Sequence, residues 1–313
     1  MLNGLTIFNC KPKGMKKTVL FILLMMSGAA LMAQGNFDNV TIETVKIDDN
    51  VYMLKGAGGN IGVLTGPDGI IMIDDQFAPL SEKIKDAIRK LGQGDIRFLI
   101  NTHIHGDHTG GNEKFKQDGV TIVAHDNVRA RMMKEQVNEE TGQRGPARVP
   151  DAWPVVTFSS DVKFHMNGED IEVMHFTAGH TDGDVIIRFV QSDVYHAGDS
   201  FVRYGYPYID LNSGGSVRGF ISNLDKLASM LDEDSKVIPG HGEVATKADV
   251  LLLRDQLKDI YDQVATALKN GTRMEDLSNL PIASKYDGVL GQGNTKGRDY
   301  LLTVAESYLK ENR

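Results

Sequence analysis

One cysteine is all the sequence contains, Cys10, and it lies in a segment that reads as removable. Without it the chain has no disulfide, no thiolate for a metal and no cysteine to carry a lipid. Stability must then come from a buried core. With 313 residues, 41% of them hydrophobic and 24% charged, the chain is long enough and apolar enough to build one. Nor is there a Gly-x-Ser-x-Gly elbow, so nothing in the sequence points to a serine nucleophile. A long hydrophobic run is missing too. The uncharged stretch Thr18–Ala33 has 16 residues, short of the roughly 20 that span a bilayer.

That stretch follows Met15-Lys16-Lys17 and ends in Ala30-Leu31-Met32-Ala33. Basic residues, an apolar run and small residues in this order make a secretory signal peptide, with cleavage expected after Ala33. Residues 1–14 read as an upstream extension, with Met15 as an alternative start. Domain boundaries are therefore expected at 1–33 for the extension and signal peptide and 34–313 for the exported protein, periplasmic or secreted. An uncleaved membrane anchor is the competing reading of the same segment. The removed part carries Lys11, Lys13, Lys16 and Lys17 and no acid, so the remainder has 34 − 4 = 30 basic against 42 acidic residues, a net charge of −12. A basic excess is thus also lacking, which argues against a nucleic-acid partner and leaves a small molecule as the expected one. No feature of the sequence reports an oligomeric state.

The pattern that is present begins with strands. Thr41–Ile47, Val51–Lys55, Ile61–Thr65 and Ile70–Ile73 are short, rich in branched residues and separated by turns. The Gly56–Asn60 turn joins two strands, so it reads as a mobile hairpin tip and not as a phosphate cradle. Leu80, Ile84, Ala87, Ile88 and Leu91 share a helical face that Gly92 closes. Strands follow at Arg97–Asn101 and Thr121–Ala124, a helix near Asp126–Gln136, and a loop from Asn138 to Pro154 holding the only tryptophan, Trp153. Strands resume at Val155–Phe158, Val162–Met166, Ile171–Phe176, Val185–Val190 and Asp193–Ala197. A helix through Phe220 and Leu231, a strand at Lys236–Ile238 and helices at about 247–269 and 296–310 complete the chain. Two runs of strands, each followed by helices, predict one α/β domain with two sheets covered by helices. The stripe Val250, Leu253, Leu257, Ile260, Val264 and Leu268 is most simply core packing, with a dimer interface or pocket wall as the alternative.

Chemistry concentrates in Asn101-Thr102-His103-Ile104-His105-Gly106-Asp107-His108. Three of the nine histidines and one carboxylate fall within six positions, just past a strand end, where neighbouring side chains can converge on one ion. Gly106 permits a tight turn that aims Asp107 and His108 elsewhere. Further candidates each sit beside glycine at a strand end: His180, Asp199 and His241. His125, His165 and His175 have no partner spacing and read as structural. His196 lies three residues from Asp199, on the opposite face of a strand, and is left out.

With these motifs the sequence resembles the metallo-β-lactamase superfamily from about Val40 to Gly242. The resemblance implies an αβ/βα sandwich of two mixed β-sheets with helices on the outer faces, the core at about 40–242 and a C-terminal helical extension at about 246–313. It implies that His103, His105 and His180 hold one Zn²⁺ and that Asp107, His108 and His241 hold a second, with Asp199 bridging. A metal-bound hydroxide would then attack a carbonyl, with Asp107 and Asp199 as the catalytic carboxylates. Within the family a β-lactam is the first expectation and a lactone or thioester the alternative. The absence of a cysteine ligand points to the all-histidine β-lactamase subclass, whereas a bridging Asp199 leans toward thioesterases and lactonases. A register slip of one would put Ser200 in the family's serine position, with Arg203 able to bind a substrate carboxylate or to stand as a solvated rim charge. An iron-loaded redox member or a zinc-binding module without turnover is the remaining class. Flavodiiron-type proteins carry glutamate where this chain has His105, which counts against the first.

Overall fold

In the computed structural model, residues 37–137 and 144–312 are described. The expected signal peptide lies outside them, as does part of the Asn138–Pro154 loop. Residues from Val40 onward make one compact unit, and 37–39 belong to a separate N-terminal one. No helix among the described residues is long and apolar enough to cross a membrane.

The first sheet has seven strands. In chain order β1 (Glu43–Lys46), β2 (Val51–Lys55), β3 (Ile61–Leu64) and β4 (Ile70–Ile73) are antiparallel neighbours. Helix α1 (Ser81–Arg89) then returns the chain to β5 (Ile96–Ile100), parallel to β4. After two short helices, α2 (Gly106–Thr109) and α3 (Asn112–Gln117), β6 (Thr121–His125) pairs in parallel with β5. Helix α4 (Asp126–Met132) and the small hairpin β7 (Gln136–Val137) and β8 (Arg144–Gly145) precede β9 (Val156–Phe158), which closes the sheet beside β6. The second sheet takes β10 (Asp161–Met166), β11 (Glu169–His175), β12 (Val185–Phe189) and β13 (Val194–His196) as an antiparallel meander. Helix α5 (Val217–Met230) crosses over to β14 (Lys236–Ile238), parallel to β13. Helices α6 (Lys247–Lys269), α7 (Asp287–Leu290) and α8 (Gly297–Glu311) end the chain.

Every residue of β3 and β4 is buried, as strands covered on both faces must be. Between the sheets Met53, Leu64, Ile73 and Ile100 meet Val173, Ile187, Phe189 and Ile238. Behind the second sheet, Tyr195 and Val237 pack with Phe220 and Leu224 of α5, Leu257 and Ile260 of α6 and Val304 of α8. The apolar stripe of α6 is spent on this core. Two mixed sheets with helices outside are the metallo-β-lactamase sandwich that the sequence motifs imply.

Two local expectations change. The helix from Asp126 ends at Met132, where the N–H of Arg148 takes the Met132 carbonyl at 2.8 Å, a tertiary bond that overrides the helix-favouring residues beyond. The Gly56–Asn60 turn is no free tip. Gly59 N–H donates to the Asp107 carbonyl and Asn60 N–H to that of Gly240, so the turn is clamped under the histidine-rich loop.

Candidate metal centre

The ligand-type residues sit where strands stop. His103, His105, Asp107 and His108 follow β5, His180 lies between β11 and β12, and Asp199 and His241 follow the parallel strands β13 and β14. Parallel strands end at one edge, and the loops after β13 and β14 touch there: Gly240 N–H donates to the carbonyls of Gly198 and Phe201. A methyl group on Gly240 would run into Asp199, so the approach requires glycine.

At this edge the seven candidates converge in two groups. Ligand atoms of His103, His105, His180 and Asp199 lie within 4.8 Å of one another, and so do those of Asp107, His108 and His241. Asp199 reaches both. Its Oδ1 is 3.2 Å from His108 Nε2 and 3.6 Å from His241 Nε2, while Oδ2 is 3.6 Å from His180 Nε2.

Each histidine of the first group, and His108 of the second, is oriented from behind. His108 Nδ1–H donates to Asp74 Oδ2 at 2.7 Å, and His105 Nε2–H to Asp210 Oδ2 at 2.9 Å. His180 Nδ1–H donates to the Tyr208 carbonyl at 2.7 Å. Thr102 Oγ1 gives its hydrogen to Asp74 at 2.7 Å and so accepts from His103 Nδ1 at 3.0 Å. With the outward nitrogens carrying the hydrogens, the inward ones present lone pairs, the arrangement that metal-ligating histidines need.

Deepest in the site an inward lone pair has no hydrogen-bond partner among the described residues. His103 Nε2 and Asp199 Oδ1 are buried without a hydrogen bond, and His105 Nδ1 faces His180 Nε2 at 2.8 Å. Two lone pairs pressed together repel unless a cation lies against them. Nitrogen and oxygen donors in these numbers fit a divalent metal such as zinc. Electrostatics agrees for the two most buried histidines of the first group. Burial, with the nearby His108 and His180, pulls His103 well below the ordinary histidine range, and burial beside His105 takes His180 to about 4. Both stay neutral, the form that binds metal. Burial opposes charge on Asp107, yet the hydrogen bond from His241 and the charge of His108 hold its carboxyl below the usual range.

Ser200 and Arg203 stand apart from this convergence. Ser200 is buried and its hydroxyl has no hydrogen-bond partner. Arg203 donates to the Val244 carbonyl at 2.8 Å and to Asp249 Oδ1 at 3.1 Å, and lines a different cavity, with Asp249 and Leu252. Asp249 is already committed there, closing a capping box with Thr246 at the start of α6. The other histidines are occupied elsewhere: His196 contacts the Asn60 carbonyl, His125 and His175 stack at 3.9 Å, and His165 pairs with Asp170.

Sequence reasoning missed Asp74, Asp210 and the residues around Asp74. Asp74 and Gln76 have φ of 61° and 56°, a left-handed conformation uncommon outside glycine, which turns β4 sharply into the site. Asp75 then accepts from Gly111 N–H, and Gln76 donates to the Gly59 carbonyl. The available signal was the pair of acids, Asp74-Asp75, ending the apolar run Ile70–Ile73.

Comparison with known proteins bears on the fold and the family. A metallo-β-lactamase from Pontibacter korlensis superposes with a TM-score of 0.57 at 19% identity, covering 70% of this chain and all of its own. The type 2 metallo-β-lactamase of Bacillus cereus is 21% identical over 228 residues, 70% of this chain and 83% of its own. A hydroxyacylglutathione hydrolase of Haemophilus influenzae is 26% identical over 157 residues, 49% of this chain and 71% of that one. The family model for the metallo-β-lactamase superfamily matches residues 54–241, a span that starts in β2 and stops at the last of the seven converging residues. The chain therefore belongs to the metallo-β-lactamase superfamily and is one of its metallo-hydrolases.

Proposed function

We propose that the protein hydrolyses a small acyl substrate with two zinc ions, one of which His103, His105 and His180 would hold and the other Asp107, His108 and His241, with Asp199 within reach of both groups. The observation that carries this is Asp199, whose two oxygens address different ligand groups. Zinc so held supplies a Lewis acid and a water acidified to a pKa of about 7. The protein's own part is orientation and proton handling. Asp107, ionised and half-buried at the cleft floor, accepts a hydrogen bond from the attacking water and aims it. Asp199 fixes the spacing of the two groups. Tyr204 and Tyr208 border the same cleft and shape its entrance.

A lactone or thioester is the substrate class that this geometry favours. Ser200 is buried, Arg203 is held by Asp249, and neither lines the cleft where the carboxylate of a β-lactam would have to be met. The β-lactam is the second reading, favoured by the likeness to the Bacillus enzyme. The test is turnover of a lactone series, a thioester series and a chromogenic cephalosporin by the full chain, before and after chelation and zinc add-back. Zinc-dependent loss of lactone or thioester is the expected result, with the cephalosporin slower. Zinc-loaded, folded protein inert toward all three would sink the proposal. Export belongs to the same reading, on the strength of Lys16-Lys17 and the uncharged run to Ala33. A periplasmic form starting at Gln34 is expected from N-terminal sequencing, and an uncut cytoplasmic form would refute it.

A further inference from the structure

The cleft over the ligand groups has a volume of about 500 Å³, and one wall of it is Gln292, Gly293, Asn294 and Thr295. These residues lie some fifty positions beyond the span shared with the family, which stops at residue 241. The sandwich thus supplies the metal ligands, and the C-terminal extension supplies part of the surface that a substrate meets.

The wall is built in. Tyr206 N–H donates to the Leu290 carbonyl at 2.8 Å, and the Tyr206 hydroxyl lies 3.0 Å from Asp287 Oδ1 and 3.2 Å from the Ala283 carbonyl. Gly205, at φ 130°, lets the chain pass directly under Leu290, where a side chain would collide. Gly293 in turn lies against the Tyr204 ring, leaving no room there for a Cβ. The Tyr204 ring also meets that of His241 at 5.5 Å. The wall therefore touches Tyr204, and Tyr204 touches the second ligand group.

Its chemistry is neutral. Among the described residues no lysine or arginine lines this cleft, whereas Asp107 and Asp199 do. Asn294 and Thr295 make no side-chain hydrogen bond with described residues, and Gln292 uses only its Nε2, toward the Gly288 carbonyl at 3.3 Å. Cationic side chains are found instead in an adjoining cavity of about 250 Å³, past His105 and Tyr208, which Arg131, Lys134 and Arg148 border. A primary-amide side chain both donates and accepts, so its best complement is another amide.

We infer that Gln292 and Asn294 form a recognition wall for an uncharged carboxamide group carried by the substrate. This rests on the reading of the cleft as a hydrolytic site, deepens it to a substrate feature, and is tested so that the two can fail separately. The zinc-loaded full chain is given the acetyl thioester of N-acetylcysteamine, that of butanethiol, and that of 3-mercaptopropionate. The amide-bearing thioester should be preferred over the alkyl one by about tenfold in kcat/KM, the discrimination that one or two hydrogen bonds provide. Combined Gln292→Ala and Asn294→Ala should reduce the preference to about twofold or less through KM, with kcat and zinc content retained. Both side chains are exposed, so the variant should melt at the parent's temperature.

A readout without turnover runs alongside: calorimetric affinity of the zinc-loaded chain for the free thiols N-acetylcysteamine and butanethiol. The same preference and the same collapse in the variant are expected. If the thiols show them while no thioester is cleaved, the wall stands and hydrolysis of this class falls. If thioesters are cleaved with no amide preference, or with one that survives the double substitution, the wall falls and hydrolysis stands. Absence of any preference in both readouts overturns the inference outright, as does a preference for the anionic thioester that the double substitution leaves unchanged.

Discussion

The two ligand groups share Asp199 but are built differently. In the first, His103 and His180 are about 1% exposed, and all three histidines have their outward nitrogens fixed by a hydroxyl, a carboxylate and a carbonyl. In the second, only His108 is both buried and backed. The side chains of Asp107 and His241 are 31% and 25% exposed, and neither has an orienting partner of this kind. Preorganised ligands bind metal more tightly because less freedom is lost on binding. On the proposed reading the first group is thus the anchoring half and the second, the more exposed, the open half.

The largest effect should come from breaking the anchor. His103→Ala or His180→Ala should lower turnover by about a thousandfold or more and remove the first metal equivalent, measured by elemental analysis of the purified chain. His241→Ala should leave that equivalent bound while turnover falls. Equal metal loss from both kinds of variant would erase the distinction between the halves.

Acid should separate the halves in the metal-free protein. Burial lowers His180 to about 4, so between about pH 6.5 and 4 the unfolded chain binds a proton that the fold excludes. This share of stability is present above 6.5 and is lost as pH falls to 4, about 3 kcal/mol over the window at ~1.4 kcal/mol per pH unit. His108 runs the other way. Burial works against its charge, but Asp199 and Asp74 raise it well above the ordinary range. Its contribution is full below about 6.5 and is lost as pH rises through the raised value. Urea midpoints of metal-free His180→Gln should therefore lose acid sensitivity between about pH 6.5 and 4, while His108→Gln keeps the parent's acid slope and instead loses the parent's fall in stability as pH rises above about 6.5. Identical pH slopes in the two variants would contradict the assignment.

A smaller change tests the backing. Asp210 accepts from His105 and also from the N–H groups of Asn212 and Ser213, and although burial opposes ionisation, these bonds hold its carboxyl well below the usual range. Asp210→Asn keeps the shape and removes the charge. Affinity of the first site should fall by about 10- to 100-fold, read by competition with a chromogenic chelator. An unchanged affinity would mean that the backing does not matter.

How much of this was legible in the sequence follows the same division. His103, His105, Asp107 and His108 announce themselves because a local loop places them, so spacing alone carries the signal. His180, Asp199 and His241 needed the further observation of glycine at strand ends. Asp74 and Asp210 could not be singled out, since they act through contacts 34 and 105 residues away along the chain. The strands and the long helix α6 were readable from periodicity, down to the ends of α6 at Lys247 and Lys269. Residues 270–296 were not. They form short single-turn helices held by Tyr206 and by tertiary contacts, too short to show a period.

The smallest effect concerns the rim of the open half. Arg203 approaches His241 through its backbone, whose N–H donates to the His241 carbonyl at 2.9 Å. Its guanidinium points to Asp249 and the Val244 carbonyl, a partly exposed arrangement worth roughly 1 kcal/mol or less. Arg203→Ala should keep the backbone bond, lower the urea midpoint slightly and leave kcat and KM for every acyl substrate within about twofold. The opposite outcome, a KM raised about tenfold only for substrates with a carboxylate, would show that the side chain leaves Asp249 when substrate binds. The open half would then have a cation at its edge, the β-lactam would regain first place among the substrates, and the neutral wall at Gln292 and Asn294 would face the other end of the molecule.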